Sequence, residues 1–421
     1  MNIDVRPFDG DRRAFLDSVG IGFAEHLNDE AAPIWESVLE FDRAIAAYDG
    51  DRIVGNAAAI SFELTVPGGV LPAAGVTTVG VHPTHRRRGA LRQMMRLQLD
   101  DVHQRGESLA VLWASEGSIY QRFGYGLASL KASLRVDRHR NAFRRPHAFS
   151  GQIRLVTEDE ARIAFPPVYE ALRPTRPGFF SHTPEVWNAE VFYFPEKWRR
   201  GRGAPFNVLH DVGGTVDGYA RYAIREGDQN EVSVLDLLAT TPAAHLDLWR
   251  YLADIDLMAR VESWNVPVDD PILLAVAEPR KLEMTLGDAL WVRLVDVSAA
   301  LAARRYRADG RVVVEVADEF CPWNDGRWSL TVEGGVPFVE PATDATGPCL
   351  RRDRPGRRLS RRVQRCAAGG RGTDQRAGAR RNRARRCALP DRSRAVVPPA
   401  LLISAWAATP VLRVLLGLGE S

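Results

Sequence analysis

The sequence predicts an α/β (α+β) chain of more than one domain, and three observations carry that expectation. At 421 residues the chain is too long for one small domain. Its apolar share of 45% can build real cores and excludes a wholly disordered polypeptide. Strand-type and helix-type apolar spacings alternate along residues 1–130 and again along 150–285.

The elements follow in order. Asp11–Leu27 has amphipathic helical spacing. Arg43–Tyr48 and Arg52–Leu64 read as a hairpin closed by Asp49-Gly50, a strong turn signal. Gly75–Val81 reads as a strand, Arg88–Gln104 as a helix, Leu109–Ala114 as a strand, and a short helix starts at Ser118. The second stretch rhymes with the first: a helix at Glu158–Leu172, strands at Phe206–Asp211, Gly218–Ile224 and Val232–Ala239, and a helix at Ala243–Met258. A third unit opens near Leu290–Val297, with a capped helix from Asp296 to Arg304 and strands at Arg311–Glu319 and Trp328–Glu333. The periodicity stops after about Thr343. The expected domains are therefore residues 1–150, 151–286 and 287–343, followed by an arginine-rich segment, 344–421.

Charge separates that last segment from the body. Residues 351–400 hold 17 arginines against Asp353, Asp374 and Asp391, a local charge of +14, which leaves −11 for the rest of a chain whose net charge is +3. Three of the four cysteines lie in the basic segment without CxxC pairs, so a disulfide framework is not expected and a reducing compartment is. The N-terminus lacks a secretory pattern, and the expected location is cytoplasmic. The stretch Val396–Gly419 is apolar, but its three prolines and Arg413 argue against a membrane span.

The chemistry-bearing run is Gly75–Gly126. A strand at Val76–Val81 feeds a turn, three arginines (Arg86, Arg87, Arg88), Gly89 and then a helix. A helix N-terminus gathers free N–H groups and positive dipole density, which suit a pyrophosphate. Gly89 allows close approach, and Arg87 and Arg88 add charge-assisted bonds. The strand edge can pair with an amide-bearing arm. Pyrophosphate plus amide arm describes coenzyme A. On their own, three arginines in a row most often form a solvated face, and the strand before and helix after them are what favour a ligand. A P-loop is excluded because no GxxxxGK[ST] occurs, and a dinucleotide fingerprint is excluded because no GxGxxG follows a strand here. His82 and His85 form no zinc motif and read as turn residues, and no metal is expected.

Residues Val79–Arg92, VGVHPTHRRRGALR, resemble the pyrophosphate-binding motif of the Gcn5-related N-acetyltransferases (GNAT). They resemble in particular V-x-V-x-P-x-x-R-R-R-G-x-L-R of the Eis (enhanced intracellular survival) branch. Ala114–Gly126, Arg173–Phe180 and Asp288–Val297 resemble the same branch, so the likeness spans roughly residues 3–343. The resemblance implies two GNAT-like acetyltransferase regions followed by a sterol-carrier-protein-like domain. It further implies acetyl-CoA as co-substrate, a small cationic amine as acceptor, and a homohexamer (a trimer of dimers), with neither nucleic acid nor membrane as partner. By position, Val79, Gly80 and Val81 would hold the pantetheine arm, and Arg87, Arg88, Gly89, Ala90, Leu91 and Arg92 the pyrophosphate. Ser115 and Glu116 would line the site, and Tyr120 would be the general acid.

Chemistry agrees on Tyr120. Acetyl transfer needs a proton for the departing thiolate, and a hydroxyl with a reference pKa of about 10 suits a thiol near about 8.5. Backbone N–H groups of Val79–Val81 can polarise the thioester carbonyl. Tyr120 taken alone reads more readily as a buried aromatic packing beside Phe123, and the motif context favours catalysis. Tyr125 is the local rival, with the FGYG turn expected to be structural. Glu25, Asp29 and Glu30 are carboxylates of the first helical region that can anchor an amine or simply face water. The acidic body favours cationic acceptors such as aminoglycoside-like polyamines or lysine-type amines. Two further classes stay open: a non-catalytic acyl-CoA or lipid-binding protein, and nucleic-acid binding through the arginine segment.

In the family the base is implied to be a terminal carboxylate on a final Phe, whereas this sequence ends LLGLGES. Codons permitted for Arg357–Val363, read one base later, give Ala-Ala-Tyr-Leu-Gly-Gly, which resembles a hallmark of the family's third region. Permitted codons for Arg394–Ile403, shifted alike, give Glu-Pro-Trp-Cys-Pro-Pro-His-Phe and a stop. The expectation is a one-base frame change between about Thr343 and Leu350, with a chain of weak or no activity despite an intact coenzyme site.

Overall fold

The computed structural model describes residues 3–137, 143–145, 147–227, 229–342, 349–351 and 403–404. Among them, two large mixed sheets and a small third sheet carry the molecule. The first sheet runs β1 (Asp4–Pro7), β2 (Ile45–Asp49), β3 (Arg52–Val66), β4 (Gly69–Val81), β5 (Leu109–Trp113), β14 (Leu290–Leu294) and β6 (Gly126–Leu127). The second runs β13 (Thr285–Asp288), β7 (Ser129–Asp137), β12 (Arg260–Val266), β11 (Glu231–Ala239), β10 (Thr215–Arg225), β9 (Phe206–Val212) and β8 (Gln152–Val156). The third holds β17 (Val336–Pro341), β16 (Gly326–Glu333) and β15 (Gly310–Val316).

The first two sheets exchange strands. β14, which the sequence pattern assigns to the opening of a third unit, inserts between β5 and β6 of the first sheet. β7, which lies within the first expected domain, pairs with β12 and β13 of the second sheet. Periodicity reports that a segment is a strand but not which sheet receives it, so neither assignment was visible locally.

Helices pack where their apolar stripes demand. α1 (Arg12–Gly22) is capped by Asp11, whose side chain accepts from Arg13 N, and buries Phe15, Leu16 and Val19. It stops five residues short of Leu27, because Gly20 and Gly22 weaken it and Ala24 takes a φ of 58°. α2 is Ala32–Val38, and α3 (Ala90–Gln104) buries Met94, Met95, Leu99 and Val102 against the first sheet. α4 is the short Gly117–Gln121. In the second region, α5 (Glu158–Leu172) is capped by Thr157. α6 (Pro184–Trp187) and α7 (Glu196–Arg199) follow. α8 (Pro242–Asp254) starts under a Thr241 cap and ends before the expected Met258, where Leu257 adopts a φ of 64°. α9 is Ile272–Ala275, and α10 (Val297–Ala302) is capped by Asp296 as its sequence predicts. The segment read as aperiodic contributes two short strands: Cys349–Arg351, parallel to β15, and Ile403–Ser404, parallel to β7. The proposed frame change and the apolar stretch near the C-terminus otherwise lie outside the described residues. Among those residues, no helix is long and apolar enough to cross a membrane.

Candidate active site

The site begins where β4 and β5 part. They pair in parallel at only three positions, Ala73 with Leu109, Ala74 with Ala110 and Gly75 with Val111. Beyond Gly75 the edge of β4 that faced β5 has no strand partner, leaving a V-shaped opening between the strand ends. A bulge bends β4 at that point. Asn56 of β3 opposes Gly80 while Ala58 opposes Thr77, and Thr78 holds a φ of 52°. Thr78 is fully buried, and its hydroxyl has no hydrogen-bond partner among the described residues. Val79, Gly80 and Val81, all half-buried, lie on the stretch of β4 beyond the bulge.

The chain then turns and enters α3. His82 is buried; its Nε2 lies 2.8 Å from Ser18 Oγ, which donates to Asn56 Oδ1 at 2.8 Å. His85 Nε2 lies 3.0 Å from Asp49 Oδ2. Both histidines brace the turn, as the sequence suggested. Arg86, Arg87 and Arg88 are exposed, with Arg87 at φ 64° and Gly89 at φ 89°. Gly89 occupies the N-cap of α3 without a side-chain bond, and the first turn carries no acidic residue. The first N–H groups of α3 are therefore left for a ligand, and three cations stand beside them. Ala90 is buried, and Leu91 packs into the core beside Val79, so both can contribute only main-chain groups to an anion. Arg92 is exposed, and its guanidinium lies 5.4 Å from the Phe320 ring centroid. These features form a cradle that fits a pyrophosphate and an amide arm.

On the other side of the opening, Ser115 is half-buried and Glu116 exposed at the start of α4. Tyr120 is 4% exposed, and burial pushes its hydroxyl up to about 12. Tyr125 meets it edge-on, with ring centroids 5.8 Å apart. The Tyr125 hydroxyl is sealed in without a hydrogen-bond partner among the described residues.

A pocket that sequence reasoning did not assemble adjoins the bulge. It is lined by Leu16, Val19, Gly20, Phe23, Glu25, Leu27, Trp35, Lys197 and Trp198. Phe23 also approaches Gly80, so the pocket and the bulged strand share a wall. Of the three carboxylates singled out from the sequence, Glu25 lines this pocket, Asp29 pairs with Arg13 at 2.6 Å, and Glu30 is exposed. Trp35 and Trp198 come from different regions of the chain, which is why no local motif announces the pocket. Among the described residues, no group of three or more His, Cys, Asp or Glu is placed to hold a metal.

Comparison with known proteins agrees with this geometry. Residues 6–128 and 178–294 match two family models for an acetyltransferase (GNAT) domain, and residues 297–357 match a sterol carrier protein domain. An uncharacterized N-acetyltransferase of Streptomyces avermitilis is 43% identical over 72% of this chain and 76% of its own. The N-acetyltransferase Eis of Mycobacterium tuberculosis is 35% identical over 77% of this chain and 80% of its own. The crystal structure of Eis1 from Mycobacterium abscessus superposes with a TM-score of 0.69 at 33% identity, covering 83% of this chain and 87% of that one. A GCN5-related N-acetyltransferase from Anabaena variabilis shares the fold at a TM-score of 0.72 and 18% identity, over 83% of this chain and 88% of that one.

Proposed function

The chain belongs to the Eis family of GNAT N-acetyltransferases, and we propose that it moves an acetyl group from acetyl-CoA directly to an amine of a cationic acceptor, aminoglycoside-like or lysine-type. The observation that carries this reading is the bulged, splayed end of β4 feeding the uncapped N-terminus of α3 beside Arg86–Arg88. Acetyl-CoA supplies the activated thioester. Main-chain groups of Val79, Gly80 and Val81 bind the pantetheine arm and polarise the carbonyl. Arg87 and Arg88, with the main chain of Gly89–Arg92, hold the pyrophosphate. Ser115 and Glu116 border the opening on the α4 side. Tyr120, kept protonated by burial, donates its proton to the leaving thiolate. Glu25, beside the small pocket that shares Phe23 with the bulged strand, offers the acceptor amine a carboxylate.

The arginine-rich segment after a frame change between about Thr343 and Leu350 reads as out-of-frame translation, although the sterol-carrier match runs on to residue 357. The polypeptide as written therefore transfers acetyl groups slowly or not at all. The frame-restored chain, homohexameric and cytoplasmic, carries the activity. Acetyl-CoA turnover with a panel of aminoglycosides and lysine peptides, on both forms, tests the reading. Acceptor-dependent thiol release by the restored form supports it, and tight acetyl-CoA binding without release on any amine by either form contradicts it.

A further inference from the structure

Beside the Tyr120 turn, a segment of the third region is wedged against the first. Arg293 of β14 is 2% exposed, and its Nη2 donates to both carboxylate oxygens of Asp318 at 2.7 and 2.6 Å. Asp318 also accepts from Cys321 N at 2.9 Å and from Asn324 Nδ2 at 3.1 Å, so its oxygens are fully used. The guanidinium lies against Gly124, where a Cβ would stand 2.1 Å from Nη1, and Gly124 holds a φ of 85°. Gly124 belongs to the turn that folds back on Tyr120. The Tyr120 carbonyl accepts from Phe123 N at 3.0 Å and Tyr125 N at 3.3 Å, and the Tyr125 ring abuts the Tyr120 ring.

The same segment grips α3. The Phe320 ring sits 5.1 Å from Phe123 on one side and 4.2 Å from the Arg96 guanidinium on the other, and Arg96 donates to the Phe320 carbonyl. Further along, Trp323 stacks on His103 of α3 at 4.2 Å and donates to Val295 O at 2.7 Å. Residues 318–323 thus touch both the helix that begins at the anion cradle and the turn that carries Tyr120.

We propose that this segment is a strut, and that Asp318 and Phe320 are positioning residues that fix Tyr120 relative to the α3 coenzyme cradle, Asp318 acting through Arg293 and Gly124. The inference rests on the reading of Tyr120 as the acid. It makes the third region part of the catalytic geometry through contacts that do not involve the end of the chain. Displacing an acid by a fraction of an ångström costs rate without costing coenzyme affinity.

The test is Asp318→Asn in the full chain, in its written and frame-restored forms, with Asp318→Glu as the conservative rescue. Asp318→Asn is expected to lower kcat about tenfold or more, leave the acetyl-CoA KM within about threefold, and speed amide exchange across residues 117–127. Asp318→Glu is expected to recover most of both. In a double-mutant cycle, Tyr120→Phe/Asp318→Asn is expected to be no slower than Tyr120→Phe alone. Unchanged kcat and exchange in Asp318→Asn overturn the proposal, as does the same loss in the Tyr120→Phe background. If Asp318→Asn does not fold, Phe320→Leu, which keeps the ion pair, is read by kcat and amide exchange alone, because its ring also meets Arg92 of the cradle. Where neither form turns over, the exchange rates alone decide. A fully active Tyr120→Phe would refute the acid assignment, while the exchange result would still judge the strut.

Discussion

The indole of Trp291 lies across Gly117 so closely that a Cβ added to the glycine would stand 2.4 Å from the ring. Trp291 belongs to β14, pairs with Leu112 of β5 and Leu127 of β6, and is pinned by its Nε1 donating to Asp288 at 2.7 Å. The start of the Tyr120 helix is thus seated under a strand that arrives from 170 residues later in the chain.

Gly117→Ala should therefore overpack this junction and cost about 1–3 kcal/mol of stability. Thermal unfolding would show a lowered midpoint, and kcat would fall with it because α4 must shift away from the indole. An unchanged midpoint would mean that the ring moves freely.

Tyr125→Phe separates the two tyrosines of the turn. The Tyr125 hydroxyl is sealed in without a hydrogen-bond partner, and burying such a group is costly. Its removal should leave stability equal or up to about 1 kcal/mol higher and kcat within about twofold, since the ring contact with Tyr120 survives. A large loss of kcat would move the acid role to Tyr125.

These residues also mark what the sequence could reveal. The strand–turn–arginine–glycine–helix run of Val76–Gln104 is local, so both its structure and its chemistry are written in consecutive residues. The structure trims the helix to Ala90 because Arg87 and Gly89 both take positive φ. The bulge at Thr78 left no sign, because threonine is an ordinary strand residue. Strand exchange by β7 and β14, and the joining of Trp35 to Trp198 in one pocket, depend on contacts between distant segments. Those contacts carry no periodic signal.

Gly89→Val probes the anion cradle. A branched side chain at a φ of 89° costs about 1–3 kcal/mol, and the loop is expected to escape by turning the N–H groups of α3 away from the ligand. Calorimetric titration should then show acetyl-CoA bound about tenfold more weakly, or worse, with the unfolding midpoint little changed. Unaltered affinity would remove the pyrophosphate from this position.

Acid sensitivity should trace to His182. It sits among Tyr169, Phe180 and Trp187, with Glu190 at 3.6 Å, and burial, followed by the Arg173 charge, lowers its pKa to about 3. The folded state thus binds fewer protons than the unfolded chain, whose histidine titrates near 6.5. Stability is complete above about pH 6.5 and is lost as the pH falls from there toward 3. One unit below the unfolded value, at about pH 5.5, the loss is on the order of 1 kcal/mol. Asp236, which burial pushes up to about 6, titrates with the opposite sign, so the comparison must be with His182→Asn. Unfolding curves between about pH 7.5 and 5.5 should fall more steeply for the parent than for the variant; parallel curves would contradict the assignment.

Tyr120 is the proposed acid, and steady-state acetyl transfer by Tyr120→Phe tests that role most directly. Thiol release and acetylated amine are measured together for the parent and the variant, in both the written and frame-restored forms. The prediction is acceptor-dependent transfer that drops about 100-fold or more in Tyr120→Phe, with the acetyl-CoA KM unchanged. Full activity of Tyr120→Phe at saturating acetyl-CoA would contradict it.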